Sequence, residues 1–176
     1  MRASRSRWLC CTALVAGTTC THAGGDAGAF RPLDVGSPVP AFAARALDGD
    51  TVRVGGPSAG IPTVLNVWAT WCESCREEMA ALDSLRREFA SQGLRVVAVS
   101  VDNGGIERVR RFAESNHLTM VVAHDPGAVI EQSYQVVGVP TTFIIDRAGK
   151  LAWRHTGNVT PVLSEAEAAA IRALRR

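Results

Sequence analysis

Two cysteines separated by two residues constrain this chain most strongly, and they stand in the stretch WATWCESC at positions 68–75. The apolar run 61–68 before them is typical of a buried strand, and the segment 76–92 after them has helical periodicity. The apolar residues that recur on that helix are Met79, Leu82, Leu85 and Phe89. Backbone N–H groups and the dipole at a helix N-terminus favour a negative sulfur, and a thiolate is the attacking species in disulfide exchange. The pattern predicts a redox-active pair, Cys72 and Cys75.

A purely stabilising disulfide or half of a metal site are the two alternatives for this pair. A loop this short removes little chain entropy, so stability is a poor reason for a bridge. A four-ligand zinc site needs a second pair of cysteines or histidines, and none stands at a suitable spacing. We therefore predict no resident metal and no cofactor.

The first 34 residues differ in composition from the rest of the 176-residue chain. Residues 1–7 carry three arginines and no acid, and an apolar stretch at 8–17 is followed by small residues. This order is that of a secretory signal, and the apolar part is too short for an ordinary transmembrane helix. We predict a signal peptide or lipoprotein leader at 1–23, a flexible tether at 24–34 and one domain at 35–176. Export leads to the periplasm or cell envelope, where disulfides persist.

The end of the leader has two interpretations that the sequence leaves open. Thr21-His22-Ala23 is suitable for cleavage after Ala23. Alternatively, Gly17-Thr18-Thr19-Cys20 is similar to a loose bacterial lipoprotein box, and Cys20 then carries a lipid that tethers the protein to a membrane.

Charge gives no reason to expect nucleic acid as a partner. The formal net charge is +2, and three arginines of that count lie in the first seven residues. Basic residues form no stripe with interleaved aromatics, so nucleic-acid binding is discarded.

The order of predicted elements is a β-hairpin followed by β-α-β-α-β-α-β-β-α, which gives a mixed sheet covered by helices on both faces. Strands are predicted at 41–47, 51–54, 63–68, 94–101, 119–123, 141–146 and 151–156. Helices are predicted at 76–92, 106–115 and 126–135, with a fourth near the C-terminus. We expect Gly93 to end the first helix, Asp125 and Pro126 to begin the third, and Ser164 with Glu167 to form a capping box for the last.

The chain resembles thioredoxin-fold thiol-disulfide oxidoreductases of the extracytoplasmic branch that includes TlpA, ResA and CcmG-like cytochrome c maturation proteins. The resemblance is carried by WATWCESC, by the segment Val139-Pro140-Thr141-Thr142-Phe143, and by a hairpin that plain thioredoxins lack. It covers residues 35–174. It implies an α/β thioredoxin fold, with a mixed central sheet flanked by helices on both faces and an added N-terminal β-hairpin.

The same resemblance implies roles for individual residues. Cys72 would be the exposed attacking sulfur and Cys75 the buried resolving one, and a cis peptide bond would precede Pro140. Val139 would then offer its backbone to an extended client segment as one rung of an added strand. We place client binding at Trp71, Val139, Pro140 and Thr141.

Glu78 lies three residues beyond Cys75, so it faces back along the same side of the helix. The ResA-like branch has an acidic residue there that is tied to proton handling. Plain thioredoxins instead carry a buried aspartate at the position of Asn66, which cannot titrate. We expect Glu78 to act with the cysteines in catalysis; the alternative is a solvated surface glutamate.

These observations predict an extracytoplasmic enzyme that reduces disulfides in protein clients, such as the cysteines of apocytochrome c. Electrons would return through a membrane thiol-disulfide carrier, and we expect a monomer. The alternative is a Cu(I) chaperone or metal-centre assembly factor that uses the same two sulfurs, for which Met79 is the nearby candidate ligand. A peroxiredoxin requires a lone peroxidatic cysteine, which the paired motif does not suit.

Overall fold

The computed structural model describes residues 32–56 and 60–175. Within these residues the chain forms seven strands and four α-helices. The strands are β1 Phe42–Ala46, β2 Thr51–Val54, β3 Thr63–Trp68, β4 Arg95–Ser100, β5 Val121–His124, β6 Thr141–Ile145 and β7 Leu151–Thr156. The helices are α1 Glu73–Phe89, α2 Ile106–Ser115, α3 Val129–Ser133 and α4 Leu163–Arg175. The predicted leader (1–23) and most of the predicted tether (24–34) lie outside the described residues.

One mixed sheet joins the seven strands in the order β2-β1-β5-β4-β3-β6-β7. Strand β3 runs parallel to β4 and β4 parallel to β5, while the remaining pairs are antiparallel. Every residue of β3 is buried, as expected of a central strand that is covered on both faces. The predicted α/β thioredoxin-like architecture with flanking helices is confirmed.

Helix α1 follows β3 after four residues and buries one side against the sheet. Cys72 is its N-cap, and the buried side carries both polar and apolar residues: Cys75, Glu78, Met79, Leu82, Asp83, Leu85 and Phe89. A short 3-10 turn at Ala90–Gln92 continues the helix to Gly93, whose φ of 85° lies in the left-handed region. Glycine adopts that conformation without steric cost, so the predicted end of the helix is confirmed.

The third helix is much shorter than predicted. It spans Val129–Ser133 rather than 126–135, because Ala128 adopts a left-handed conformation (φ 49°) that interrupts the helix after Pro126. The Asp125 carboxylate still caps it, accepting a hydrogen bond from the N–H of Ile130 at 2.8 Å, but it does so across a turn.

The capping box predicted for the last helix is wrong. Helix α4 begins at Leu163, so Ser164 lies inside it, and a 3-10 turn at Thr160–Val162 precedes it. Pro161 is the second residue of that turn, and the Asn158 side chain accepts a hydrogen bond from the N–H of Thr160 at 2.9 Å. Proline's fixed φ suits the first turn of a helix, so the start lies upstream of Ser164.

The predicted N-terminal hairpin forms and extends the sheet. Strands β1 and β2 pair around Gly49, and β1 also pairs antiparallel with β5. The Tyr134 hydroxyl, just beyond α3, donates to the carbonyl of Pro40 at 2.8 Å and fastens the segment that leads into β1. Among the described residues, no helix is long and apolar enough to cross a membrane.

Candidate active site

A disulfide joins Cys72 and Cys75 at the junction between β3 and α1, and their Cα atoms are 5.2 Å apart. The Cys72 sulfur occupies the N-cap position and accepts a hydrogen bond from the N–H of Cys75 at 3.2 Å. Cys75 is fully buried, whereas Cys72 retains 8% of its exposure. A helix N-terminus stabilises negative charge on the outer sulfur, which is therefore the one suited to attack.

The segment before β6 approaches this disulfide. The bond between Val139 and Pro140 is cis, as the resemblance implied. The Val139 carbonyl oxygen lies 3.8 Å from the Cys72 sulfur. Pro140 is buried and Val139 is half-buried. The backbone of Val139 therefore lies beside the Cys72 sulfur.

Two further residues assigned to client binding occupy different environments. Trp71 directly precedes Cys72 and is 65% exposed, so its ring is available to a docked protein. Thr141 is buried, and its hydroxyl donates to the carbonyl of Gly138 at 2.6 Å. The Thr141 side chain therefore braces the turn before β6 instead of facing solvent.

Glu78 is fully buried, so the surface interpretation of this residue is wrong. One carboxylate oxygen accepts a hydrogen bond from Asn66 Nδ2 at 2.7 Å, and the other accepts from the N–H of Val159 at 2.6 Å. Burial raises the pKa of Glu78 to about 7, and these two hydrogen bonds limit the rise. A carboxyl group with such a pKa exchanges protons near neutral pH.

Asn66 links Glu78 to the strand that carries the cis-proline. Its Nδ2 also donates to the Thr142 hydroxyl at 3.0 Å, in β6. Its Oδ1 is buried and has no hydrogen-bond partner among the described atoms. The two positions compared from sequence, 66 and 78, therefore contact each other, and Glu78 is the ionisable member.

The loop between β7 and α4 also contacts the site, which sequence reasoning missed. The N–H of Gly157 donates to the Pro140 carbonyl at 2.8 Å, two residues before Val159 donates to Glu78. Between them, Asn158 Nδ2 lies 3.3 Å from a carboxylate oxygen of Glu77. The motif that carries the cysteines lies more than 80 residues away, and no local pattern in the loop signals these contacts.

Asp102 is a second residue that sequence reasoning missed. It lies just beyond β4 and accepts hydrogen bonds from both the N–H and the hydroxyl of Thr70, inside the cysteine motif. A usable signal exists, since a polar residue that follows a buried strand parallel to β3 lies at the same edge of the sheet as the cysteines.

In residues 32–56 and 60–175, no group of three or more His, Cys, Asp or Glu side chains is placed to hold a metal ion. Met79, the candidate third ligand for copper, is 1% exposed and belongs to the hydrophobic core.

The fold and this site define a thioredoxin-like protein whose disulfide lies beside a cis-proline. A family model described as "AhpC/TSA family" matches residues 35–154. This match spans more than half of the chain, so the chain belongs to the AhpC/TSA family.

Individual relatives agree with that assignment. The chain is 35% identical over 130 residues to the thioredoxin-like protein YneN of Bacillus subtilis strain 168, covering 73% of this chain and 75% of the relative. It is 30% identical over 128 residues to the thiol-disulfide oxidoreductase ResA of Bacillus thuringiensis subsp. konkukian strain 97-27, covering 73% of each. The crystal structure of a putative thiol:disulfide interchange protein DsbE from Chlorobium tepidum superposes with a TM-score of 0.74 at 30% identity, covering 81% of this chain and 99% of that one. The chain is accordingly a thiol-disulfide oxidoreductase of the thioredoxin-like type.

Proposed function

We propose that the chain reduces disulfides in protein clients outside the cytoplasm, through Cys72 and Cys75. One observation carries the proposal: the two cysteines form a disulfide at the start of α1, with the Cys72 sulfur 3.8 Å from the Val139 carbonyl. This arrangement brings a sulfur at a helix N-terminus, a position that favours a thiolate once the disulfide is reduced, beside a backbone segment that an extended client can pair with.

The reaction proceeds in two exchange steps from the dithiol form. The Cys72 thiolate attacks one sulfur of a client disulfide, the client S–S bond breaks, and the other client sulfur leaves as a thiolate that takes up a proton. Cys75 then loses its proton and attacks Cys72, which releases the second client thiolate and forms the Cys72–Cys75 disulfide. Two electrons pass from the enzyme to the client, and the oxidised enzyme has the bonding seen in the structure.

Docking is assigned to Trp71 and to the segment Val139–Thr141. Trp71 offers an exposed apolar ring next to the attacking sulfur. Val139 supplies backbone groups, while Pro140 and Thr141 fix the turn that presents them. Glu78 is the proton acceptor for the Cys75 thiol, since both are buried on one side of α1 and three residues apart.

The physiological client and electron donor are proposed on the family resemblance of the sequence. Clients would include the cysteines of apocytochrome c, and a membrane thiol-disulfide carrier would reduce the enzyme after each cycle. The enzyme would work as a monomer. Relatives that bear the names ResA and DsbE support the general kind of partner, a protein thiol or disulfide.

Export of the domain is proposed from residues 1–34 of the sequence alone. A leader at 1–23 would direct the protein to the periplasm or cell envelope, with or without a lipid on Cys20. Mass spectrometry of the mature protein separates the two forms: a chain that begins at unmodified Gly24 contradicts lipidation, and a lipid-modified Cys20 at the N-terminus supports it.

Insulin reduction in the presence of dithiothreitol tests the activity. The wild-type protein is expected to accelerate insulin reduction, and Cys72→Ser is expected to abolish the acceleration because the attacking thiolate is gone. The matched variant Cys75→Ser retains that thiolate and is expected to accumulate a mixed disulfide with the client, visible as a mass adduct. Acceleration that survives in a folded Cys72→Ser protein overturns the proposal.

A further inference from the structure

We propose that Asp102 is a positioning residue for disulfide exchange: its carboxylate holds Thr70 and thereby fixes the Trp71–Cys72 segment on which a protein client docks. The proposal rests on the proposed function, the reduction of protein disulfides.

Strand register brings Asp102 and Thr70 together. Strands β3 and β4 are parallel, and Trp68 pairs with Ser100 at their carboxyl ends. The two segments that follow these strands make one more hydrogen bond, from the N–H of Val101 to the Trp68 carbonyl at 2.9 Å. Thr70 and Asp102 each lie two residues beyond the last pair, so they meet at the edge of the sheet where α1 begins.

The Asp102 carboxylate grips Thr70 with both oxygens. Oδ2 accepts from the Thr70 N–H at 2.9 Å, and Oδ1 accepts from the Thr70 hydroxyl at 2.6 Å. Oδ2 also accepts from the Ser100 hydroxyl at 2.6 Å. Burial alone raises the pKa of Asp102, but the hydrogen bonds from Ser100 and Thr70, together with Arg108, outweigh it and lower the pKa. The group is therefore a charged acceptor at neutral pH, and hydrogen bonds to a charged acceptor are the stronger ones.

Asp102 is itself held firmly, as a positioning residue has to be. It is 2% exposed, and its backbone N–H donates to the Ser100 hydroxyl at 3.2 Å. Its carbonyl oxygen lies 2.8 Å from His124 Nε2, in the neighbouring strand β5. Asp102 therefore couples Thr70 to two strands of the sheet, to β4 through its carboxylate and to β5 through its backbone carbonyl.

The segment that follows Thr70 presents the groups that meet a client. Trp71 is the most exposed large apolar residue of the described chain, at 65%, and Cys72 carries the attacking sulfur. Within the segment, the N–H of Cys72 donates to the Ala69 carbonyl at 3.2 Å, which closes a local turn. That bond keeps the turn's own shape, whereas the Asp102 contact fixes its placement relative to the sheet. Loosening the Asp102 contact should therefore weaken the docking of a protein client more than it slows thiol-disulfide exchange itself.

Asp83 provides a matched control within the same molecule. It is also 2% exposed, and its carboxylate accepts hydrogen bonds from the Thr119 N–H, the Thr119 hydroxyl and the Met120 N–H. It ties the second half of α1 to the segment before β5 and touches no residue of the cysteine motif in the described contacts. Replacing Asp83 therefore removes a similar buried network without disturbing Thr70.

The test compares KM for insulin with the rate toward a small aromatic disulfide that needs no docking surface. Asp102→Ala removes both hydrogen bonds to Thr70 and is expected to raise KM for insulin about fivefold, the equivalent of about 1 kcal/mol, with less than a twofold change toward the small disulfide. Asp102→Asn should recover most of the loss, because its amide oxygen, in the place of the aspartate Oδ2, can accept from the Thr70 N–H, and its NH2 group, in the place of Oδ1, can donate to the Thr70 hydroxyl. Asp83→Asn and Asp83→Ala should leave both values unchanged.

The outcomes separate this inference from the function on which it rests. A wild-type protein that does not reduce insulin overturns the proposed function. An active wild type with an unchanged KM in folded Asp102→Ala overturns the positioning role, as does an equal rise in KM for the Asp83 variants. If Asp102→Ala does not fold, Thr70→Val decides, because it deletes only the hydroxyl: a raised KM for insulin supports the role, and an unchanged KM contradicts it.

Discussion

Glu78, Asp83 and Asp102 are three buried carboxyl groups whose pKa values shift in different directions. Burial raises the pKa of each group, and the net directions differ because the groups have different hydrogen-bond and charged partners. Asp83 accepts hydrogen bonds from Thr119 and Met120 and lies beside Arg87, which together lower its pKa. Asp102 likewise has three hydrogen bonds and Arg108 nearby. Glu78 receives two hydrogen bonds, and no cation contributes to its shift, so burial dominates and, of these three carboxyl groups, Glu78 is the one whose pKa is raised, to about 7.

Glu78→Gln should change the pH dependence of the second exchange step. In the wild type, the rate at which Cys75 resolves a mixed disulfide should rise through an inflection near pH 7, as Glu78 becomes able to accept the Cys75 proton. The amide cannot accept that proton, so the variant should lose the inflection and be slower at pH 8 by roughly tenfold or more. Stopped-flow measurement of resolution from a preformed mixed disulfide reports this step directly.

Glu77→Gln is the control for that experiment. Glu77 is exposed, precedes Glu78 on the same helix and contacts the Asn158 side chain. Its replacement removes one negative charge from the same region without touching the buried acid. An inflection that persists in Glu78→Gln, or disappears equally in Glu77→Gln, contradicts the role of Glu78 in proton transfer.

Elements with strong periodicity were predicted well, and elements whose ends depend on the backbone were not. Helix α2 spans Ile106–Ser115 as predicted, because its apolar residues repeat at helical spacing. Helix α3 is shorter than predicted because Ala128 takes a left-handed conformation that no sequence rule requires of alanine. The start of α4 was misplaced because Pro161 and Asn158 together offer an earlier cap.

In the candidate active site, too, local sequence patterns predict some residues, whereas contacts between residues far apart in the sequence are not predicted. Short motifs and the family resemblance they carry predict Cys72, Cys75 and Pro140 as site residues, and the resemblance together with helical spacing to Cys75 predicts Glu78; the structure places Cys72, Cys75 and Pro140 close together and Glu78 on the buried side of the same helix. The Asp102–Thr70 contact spans 32 residues and the Glu78–Val159 contact spans 81. Such contacts depend on which strands become neighbours and in which register, and local patterns in the sequence do not give that register.

Tyr134→Phe should destabilise the protein without changing its chemistry. The Tyr134 hydroxyl donates to the Pro40 carbonyl at 2.8 Å and joins the end of α3 to the hairpin segment, while its ring packs edge-on against Phe143. Phenylalanine keeps the ring and loses the hydrogen bond, which costs about 1–2 kcal/mol of unfolding free energy. A urea titration should show a lower midpoint at an unchanged slope, while insulin reduction stays at the wild-type rate. An unchanged midpoint would show that this bond does not help hold the hairpin.

The candidate active site lies in a different part of the molecule from some of the buried contacts that hold its helices and strands together. The carboxyl ends of β3 and β4 carry the cysteine motif and Asp102, and the loop after β7 reaches the same edge to contact Glu78 and Pro140. Asp83 fastens α1 to the segment before β5, away from that motif. Buried carboxyl groups are consequently present both beside the cysteine motif and away from it, and both kinds contribute to how stability depends on pH.

The raised pKa of Glu78 predicts that the oxidised protein loses stability between about pH 4.5 and 7. A folded-state pKa of about 7, against an ordinary value of 4.5, means that the native state binds the Glu78 proton more tightly than the unfolded state does. The stability that Glu78 contributes is therefore complete below pH 4.5 and is lost as pH rises through 7. The lowered values of Asp83 and Asp102 act in the opposite sense: their contribution is complete above the ordinary aspartate value of 3.8 and disappears as pH falls through their folded-state pKa.

Denaturant titrations of wild type and Glu78→Gln from pH 3 to pH 8 test this pattern. The wild type should be most stable near pH 4 to 5 with respect to these groups, and its loss toward pH 8 should exceed that of Glu78→Gln by up to about 3 kcal/mol, the equivalent of the Glu78 shift. Both proteins should lose stability below pH 3.8, because Asp83 and Asp102 are intact in each, whereas Asp83→Asn should lose less there. Parallel curves for wild type and Glu78→Gln above pH 5 would mean that Glu78 is already ionised at low pH, and would remove it as the proton acceptor for Cys75.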